Sequence, residues 1–177
     1  IRFISLSSPE GNCAPLERQW AVRWPVSSTG YVSEFIHNNN SRTLTGACLC
    51  GGVRFEVDYP LRPIVSCYCS ECRKTSGNYV NATGVPKSRF RLLAGTSLRW
   101  YATALSSQGF CGTCGSNLFW QPVPEDGDIR IKAGCLQTDT GLDVVAHIFV
   151  QEKCDFHQIP DDVPHFTDWN YNIPIPQ

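Results

Sequence analysis

The chain has 177 residues, a formal net charge of -1, 42% hydrophobic residues and 18% charged residues. This length suits one domain that buries its own core, and the composition excludes a disordered chain. A net charge so close to zero provides no general attraction to phosphate backbones or anionic lipids. We therefore expect small-molecule partners and neither nucleic acid nor a membrane surface, and a homo-oligomer is compatible with the sequence.

Apolar runs and cysteine spacing together indicate the expected compartment. No apolar run is long enough for a transmembrane helix, and residues 1–6 lack the apolar core of a secretory signal. Ten cysteines could form a secreted disulfide framework, but most of them stand in closely spaced clusters. Neighbouring thiols on one strand do not easily meet disulfide geometry, so this spacing favours metal binding. Metal-bound thiols predict a reducing compartment, the cytosol or the nucleus, and we expect a cytoplasmic protein.

Two regions differ in pattern. Residues 1–42 contain Pro9, Pro15, Pro25 and a run of polar residues, which predicts an irregular N-terminal extension. Residues 43–177 form the expected zinc-binding domain. Within it, short strands recur about every ten residues, and no long amphipathic helix is expected. The expected strands cover residues 53–58, 79–83, 90–93, 98–101, 128–133 and 146–150, with one helical turn over 73–76.

Turn-forming residues separate these strands. Gly84, Pro86, residues 94–95 and residues 106–107 are expected to be breaks between strands. Short strands joined by such breaks predict a mainly β fold with mostly antiparallel pairing.

Four cysteines form one expected structural metal site: Cys48, Cys50, Cys111 and Cys114. Zn²⁺ is the ion that fits best, because it takes thiolates in a tetrahedron. A closed tetrathiolate has no position for a substrate, so its expected work is to hold two distant hairpins together and to stabilise the fold. Two disulfides, or free thiols, are the alternative.

Three further cysteines, Cys67, Cys69 and Cys72, fall within six positions. An extended segment followed by a tight turn can bring all three sulfurs to one point. Three ligands leave one corner of a zinc tetrahedron open, which is typical of a catalytic site. The alternatives are a second structural zinc completed by Cys135, Cys154 or a histidine, or a cluster without metal.

Four blocks of sequence in the same order resemble a known family. They are Thr45-Gly46-x-Cys48-x-Cys50-Gly51-x-Val53-x-Phe55, Ser66-Cys67-x-Cys69-x-x-Cys72-Arg73-Lys74-x-Ser76-Gly77, Gly109-Phe110-Cys111-x-x-Cys114-Gly115-Ser116-x-Leu118 and His147-Ile148-Phe149-Val150. The resemblance is to the glutathione-dependent formaldehyde-activating enzymes, also called the GFA or centromere-protein-V family. It extends from about residue 43 to residue 166.

The resemblance implies a Mss4-like β-tent of short antiparallel strands tied by zinc. It implies two zinc ions per chain, a structural one on Cys48, Cys50, Cys111 and Cys114 and a labile catalytic one on Cys67, Cys69 and Cys72. The implied activity is addition of glutathione to formaldehyde, giving S-hydroxymethylglutathione, or the reverse carbon-sulfur cleavage. Family members commonly carry His where this chain has Tyr68, and Trp where it has Phe156.

Such a reaction needs an acid or base near the aldehyde oxygen. The chemical candidates are His147, His157, His165, Glu71, Asp161 and Asp162. We expect His147 to be catalytic, with a core or supporting histidine as the alternative. Arg73 and Lys74 are expected to bind a carboxylate of a glutathione-like ligand, although a solvated turn explains them as well.

Three functions follow from these patterns. The leading hypothesis is a zinc-dependent carbon-sulfur lyase or synthase that acts on a thiol adduct of a small aldehyde, with glutathione or a similar thiol as co-substrate. A second is a zinc-stabilised binding module without turnover. A third keeps the open zinc but acts on a non-glutathione metabolite by cyclisation, elimination or hydrolysis. Tyr68, which stands where family members commonly carry His, supports this third hypothesis.

Overall fold

The structure is a computed structural model that describes residues 42–137 and 139–169, together with residues 173 and 175. All of them belong to one compact unit, Val32–Gln177. The extension predicted for residues 1–42 lies outside the described residues except for Arg42. In the described part of the chain no helix combines the length and the hydropathy that a membrane span requires.

The described elements follow one another with short connections. In chain order they are β1 (Thr43–Ala47), β2 (Arg54–Asp58), β3 (Ile64–Cys67), α1 (Ser70–Ser76), β4 (Val80–Pro86), β5 (Phe90–Ala94), β6 (Leu98–Ala102), β7 (Ser106–Cys111), β8 (Asn117–Pro122), β9 (Asp128–Lys132), β10 (Val144–Ile148) and β11 (His165–Phe166). Three 3₁₀ turns cover Lys87–Arg89, Ala133–Cys135 and Val150–Glu152.

The strands form two sheets. A three-stranded sheet has the order β1-β2-β5, and an eight-stranded sheet has the order β11-β10-β3-β4-β9-β8-β7-β6. Every pairing in the small sheet is antiparallel. In the large sheet only β10 runs parallel to its neighbours β3 and β11. The predicted mainly β fold of short, mostly antiparallel strands is confirmed.

Two apolar clusters fill the interior. The larger one is centred on Phe55, whose ring meets the ring of Phe119 edge to face at 5.1 Å. Alternation along β2 buries Phe55 and Val57 while Arg54 stays exposed, because successive side chains of a strand point to opposite faces. The smaller cluster combines Val65 with strands β4 and β10, and two of the clustered thiols, Cys67 and Cys72, are part of it.

Each predicted strand overlaps an observed strand, but several boundaries were wrong. Residues 106–107 begin β7 instead of forming a break. Gly84 lies inside β4, where a Cβ atom would come within 2.7 Å of the Ile175 side chain, so close packing explains this glycine. The last predicted strand ends at Ile148, because Phe149 adopts a left-handed conformation with φ of 55°.

The predicted helical turn is longer than expected. α1 begins at Ser70, three residues before the predicted start, because Cys69 caps its N-terminus. It ends at Ser76, and the next residue, Gly77, has a φ of 76°, the left-handed conformation that favours glycine at this position.

Candidate functional site

The first group of thiols combines two pairs of cysteines that are distant in the sequence. The Sγ atoms of Cys48, Cys50, Cys111 and Cys114 all lie within 4.8 Å of one another. Cys50 Sγ is 3.6 Å from Cys48 Sγ and 3.7 Å from Cys111 Sγ. A tetrahedron with metal-sulfur bonds of about 2.3 Å has edges of about 3.8 Å. These four residues therefore fit one tetrahedral metal ion.

Backbone turns aim these sulfurs. Cys48 follows β1, and the N–H of Val53 donates to Cys48 Sγ at 3.2 Å. On the other side, Gly115 has a φ of 76° and its N–H donates to the carbonyl of Cys111 at 2.8 Å, which closes the turn. Hydrogen bonds from the side chain and backbone of Ser116 lower the pKa of Cys114 to about 5. Donors aimed at sulfur stabilise the thiolate form that a metal requires.

The second group of thiols is built at the junction of β3 and α1. Cys67 is the last residue of β3, Cys69 is the N-cap of α1 and Cys72 lies in its first turn. The N–H of Cys72 donates to Cys69 Sγ at 3.4 Å. All three sulfurs lie within 4.8 Å of one another. An extended strand followed by one helical turn thus brings three residues of a six-residue segment to one point.

These three thiols compete for ionisation. Hydrogen bonds from the thiols of Cys67 and Cys72 lower the pKa of Cys69 to about 2. The same contact with Cys69 raises the pKa of Cys67 far above its ordinary value. One thiolate is therefore stabilised by its two neighbours, and full ionisation requires a cation at the centre of the group.

Among the described residues, no fourth His, Cys, Asp or Glu joins this group. Cys135 donates to the carbonyl of Asn117 at 3.2 Å, and Cys154 accepts from Arg73 Nη1 at 3.1 Å. Both thiols that could have completed a second structural site are thus occupied elsewhere. The three-thiol group fits a metal ion with an open coordination position.

The three-thiol group forms part of the wall of a cavity of about 410 Å³. This volume lies within the range of small-molecule sites. Most of the wall is apolar and is contributed by several strands and by Trp169. The apolar lining residues are Val65, Val80, Ala82, Leu105, Trp120, Pro122, Ile148 and Trp169.

Charged side chains occupy a second part of the same wall: Arg62, Glu71, Arg130 and Lys132. Arg130 pairs with Asp126 through two contacts of 2.6 and 2.7 Å and lies over the ring of Trp120. Arg62 is 3% exposed, and its Nη2 donates to the carbonyl of Ala82 at 3.0 Å. Lys132 is 7% exposed, and its burial lowers its pKa although the nearby thiols and Glu71 oppose this shift.

Glu71 closes one side of the cavity by a long-range contact. Ser106 Oγ donates to Glu71 Oε1 at 2.5 Å, which connects α1 to the start of β7. Thr103 Oγ1 also lies 3.4 Å from the same oxygen. The carboxylate of Glu71 is thus engaged in holding α1 against the β6–β7 connection.

Comparison with known proteins decides the family. Residues 43–152 match the family model described as "Glutathione-dependent formaldehyde-activating enzyme". This segment is more than half of the chain and contains both thiol groups. The chain belongs to the glutathione-dependent formaldehyde-activating enzyme family.

Comparison with individual proteins gives a short match in sequence and a weak match in structure. A Halomonas elongata protein, provisionally named as a glutathione-dependent formaldehyde-activating enzyme, is 57% identical over 35 residues, or 19% of this chain. The match spans only 22% of that relative. A crystal structure of a Rhodobacter sphaeroides protein is 21% identical and aligns with a TM-score of 0.45 over 68% of this chain and 98% of its own.

His147, which the sequence predicted to be catalytic, does not line the cavity. It is buried in β10, and its Nδ1 lies 3.2 Å from the hydroxyl of Tyr68. Tyr68 stands between two of the clustered thiols, but its ring stacks on Tyr79 at 4.8 Å. Tyr68, which stands where family members commonly carry histidine, is therefore hydrogen-bonded to His147.

Arg73 and Lys74, predicted to bind a carboxylate, also do not line the cavity. Arg73 donates to the carbonyl of Tyr68 through Nε and to Cys154 through Nη1, both at 3.1 Å. Lys74 is exposed on α1. That Arg73 and Lys74 bind a carboxylate of a glutathione-like ligand stays a prediction.

The remaining acid and base candidates are also outside the cavity wall. His157 Nε2 lies 2.6 Å from Asn78 Oδ1, and His165 Nε2 donates to the carbonyl of Pro160 at 2.9 Å. Asp161 and Asp162 are exposed. Among the described residues, Glu71 is the one acid or base candidate named from sequence that lines the cavity.

Sequence reasoning missed Arg62 and Lys132. In the sequence Lys132 stands in an alternating strand, where a charged residue is ordinarily assigned to the solvent side. Its position at the end of β9, in register with Ala82 of β4, turns that side towards the three thiols.

Proposed function

We propose that the chain makes or breaks the carbon-sulfur bond of a thiol adduct of a small aldehyde, of the S-hydroxymethylglutathione type. In this proposal Cys67, Cys69 and Cys72 hold a catalytic zinc ion, and the four-thiol group holds a structural one. Membership of the glutathione-dependent formaldehyde-activating enzyme family supports this reaction class.

One observation carries the proposal. Three thiols with no fourth ligand among the described residues face a cavity of about 410 Å³. A purely structural site closes with four protein ligands and has no need of an adjoining cavity. The four-thiol group in the same chain has this closed composition, so the two groups differ in the way that structural and catalytic sites differ.

When bound, zinc would supply a soft Lewis acid that takes the sulfur of the incoming thiol as its anion. The chain's own residues do the rest. The apolar wall around Trp120, Trp169 and Ile148 excludes water from the reacting groups. Lys132 places positive charge near the thiols, and Arg62 lines the same cavity, which favours the anionic forms of thiol and adduct.

Three sequence-derived roles continue as parts of this proposal. His147 is proposed to be a positioning residue on the side of the three-thiol group that faces away from the cavity. Its hydrogen bond holds the Tyr68 side chain, and Tyr68 in turn holds the backbone between Cys67 and Cys69. Arg73 and Lys74 are proposed to meet a carboxylate of a glutathione-like ligand at the outer surface of α1. The expected compartment is a reducing one, since thiols must stay free to bind metal and substrate.

The decisive experiment is NMR exchange spectroscopy of formaldehyde and glutathione with and without the protein. We expect the wild type to accelerate the exchange between free and S-hydroxymethyl forms. Cys69→Ser removes one ligand of the open site and should abolish the acceleration. Cys135→Ser changes a thiol outside both groups and should leave it intact. Equal exchange rates with and without the wild type would reject the glutathione reaction.

An open-zinc enzyme acting on a non-glutathione metabolite is the second candidate. Tyr68 favours it, because the chain has an aromatic phenol where its family commonly has histidine. The largely apolar wall of the cavity also suits a less polar ligand than glutathione. A wild type that holds two zinc ions but accelerates exchange with neither glutathione nor another thiol would favour this second candidate.

A zinc-stabilised binding module without turnover is the third candidate. It predicts ligand binding without accelerated exchange for any thiol, and one tightly bound zinc ion per chain. Metal analysis that finds two would favour an enzyme.

A further inference from the structure

Lys132 is a buried cation whose position in the fold is unusual. Alternation along β9 places Ile129 and Ile131 in the main core, and Arg130 and Lys132 on the face that lines the cavity. Arg130 is partly exposed and paired with Asp126. Lys132 is only 7% exposed, and within the described residues the charges that act on its ammonium group are those of the three clustered thiols and Glu71.

Burying such a group is unfavourable. An ammonium group removed from water loses its hydration, and the loss is offset only by a partner that accepts its hydrogen bonds. The three clustered thiols and Glu71 exert attraction on Lys132, but none of them accepts a hydrogen bond from it. Glu71 is already engaged by Ser106. The three N–H donors of Lys132 are therefore available to whatever enters the cavity.

We propose that Lys132 binds the oxygen on the reacting carbon of the thiol adduct, so that it is the oxyanion-binding residue of the cavity. The proposal rests on the proposed function, because it places the substrate sulfur at the three-thiol group. Substrates of this class carry a hydroxyl or carbonyl oxygen one bond from the carbon attached to sulfur.

The chemical step is the addition of a thiolate to an aldehyde. The thiolate sulfur donates an electron pair to the aldehyde carbon, the C–S bond forms, and the π pair of the C=O bond moves onto oxygen. Lys132 stabilises the resulting alkoxide by hydrogen bonding, and the alkoxide takes a proton from water to replace the one that the thiol released. Cleavage follows the same path in reverse. A preorganised donor at this oxygen stabilises charge that develops in the transition state.

A different role for Lys132 must be separated from this one. A cation near three thiolates can serve only to balance their charge and so to retain the metal. Lys132→Met removes the charge and keeps most of the apolar stem. Lys132→Arg keeps a cation, in case the methionine variant does not fold. Lys87→Gln, at a partly exposed surface ion pair, is the control for loss of one positive charge.

The first test measures binding and does not depend on turnover. The affinities of the zinc-loaded protein for S-formylglutathione, which carries a carbonyl oxygen on the carbon attached to sulfur, and for S-ethylglutathione, which has a methyl group in its place, are compared by calorimetry. We expect the wild type and Lys87→Gln to prefer the formyl compound, and Lys132→Met to bind the two equally. A preference that persists in Lys132→Met, or is absent in the wild type, would overturn the proposal.

The second test uses the exchange reaction. We expect Lys132→Met to lower the exchange rate by about 100- to 1,000-fold, the effect of losing one oxyanion donor, with unchanged zinc content and unchanged affinity for glutathione alone. Loss of zinc or of glutathione affinity together with rate would instead assign a charge-balancing role. A wild type without exchange would reject the proposed reaction, while the binding comparison would still decide whether Lys132 binds oxygen.

Discussion

The hydroxyl of Tyr68 and Nδ1 of His147 lie 3.2 Å apart and connect β10 to the segment that carries the three-thiol group. Tyr68 is 2% exposed, so the pair is shielded from water. Because side chains alternate along the extended segment, Cys67 and Cys69 reach the cavity while Tyr68 reaches His147. One strand end thus supports the site from behind and supplies two of its thiols.

Loss of this hydrogen bond should be measurable. Tyr68→Phe keeps the ring stacked on Tyr79 but leaves the buried Nδ1 of His147 without its partner. We expect the free energy of unfolding to fall by about 1–3 kcal/mol in urea titrations. Tyr101→Phe, at an exposed position, should change it by less than about 0.5 kcal/mol. Equal effects of the two substitutions would show that the pair contributes nothing.

The two thiol groups should respond differently to loss of one sulfur. Cys114→Ser removes a ligand of the group that joins residues 48–50 to residues 111–114, so we expect stability to fall by more than about 3 kcal/mol. For a domain of this size that corresponds to a melting temperature lower by roughly 10 °C. Cys69→Ser should keep the fold and lose activity. Thermal unfolding followed by circular dichroism checks this, and equal losses would contradict two separate roles.

Chelation should remove metal in two phases. The three-thiol group holds its ion with one ligand fewer and opens onto the cavity, so we expect a chelator to remove about one zinc equivalent per chain quickly and the second slowly. Atomic emission analysis of samples taken over time measures both phases. In Cys69→Ser the fast phase should be absent. A single rate for both equivalents in the wild type would contradict the assignment.

Acid should destabilise the fold partly through His147. Its burial, together with the charge of nearby His165, lowers its pKa, while Asp162 opposes the shift. In the unfolded chain His147 binds a proton near its ordinary pKa of 6.5, whereas the folded state binds it only at lower pH. The unfolding free energy should therefore fall as pH drops below about 6.5.

His147→Gln tests the contribution of this residue. Urea unfolding of the wild type and the variant between pH 7.5 and pH 5 should show a smaller loss of stability for the variant over the acidic half of this range. The difference between the two stability profiles reports the pH dependence that involves His147, including its interaction with His165. Parallel stability profiles would mean that His147 does not contribute.

Local patterns made most of the fold predictable. Strands with clean alternation, such as β2 and β9, were identified because one face is apolar. β7 was missed because it begins with Ser106-Ser107-Gln108-Gly109, which is typical of a turn. Ser106 and Gln108 are nevertheless buried, and pairing with β6 and β8 overrides their weak strand preference.

The thiol groups were predictable from the sequence to a greater extent than the cavity. Spacing along the chain predicted the three-thiol group and each of the two pairs in the four-thiol group, since residues two or three positions apart are brought together by local geometry. That the two pairs meet, 61 positions apart, was predicted because together they supply four sulfurs. Lys132 and the contact between Glu71 and Ser106 depend on strands that are distant in sequence. No pattern within a short window indicates such contacts, so most of the cavity wall could be found only from the structure.

The contact between Cys50 and Cys111 spans 61 positions, and this span affects the order in which a newly synthesised chain matures. β1 and β2 can pair as soon as both have left the ribosome, because their partners are close in sequence. Their two cysteines must wait until residue 114 has emerged before a four-sulfur site can close. During that interval the other two sulfurs of the group are missing, so we expect the four-thiol group to take up a metal ion only late in synthesis.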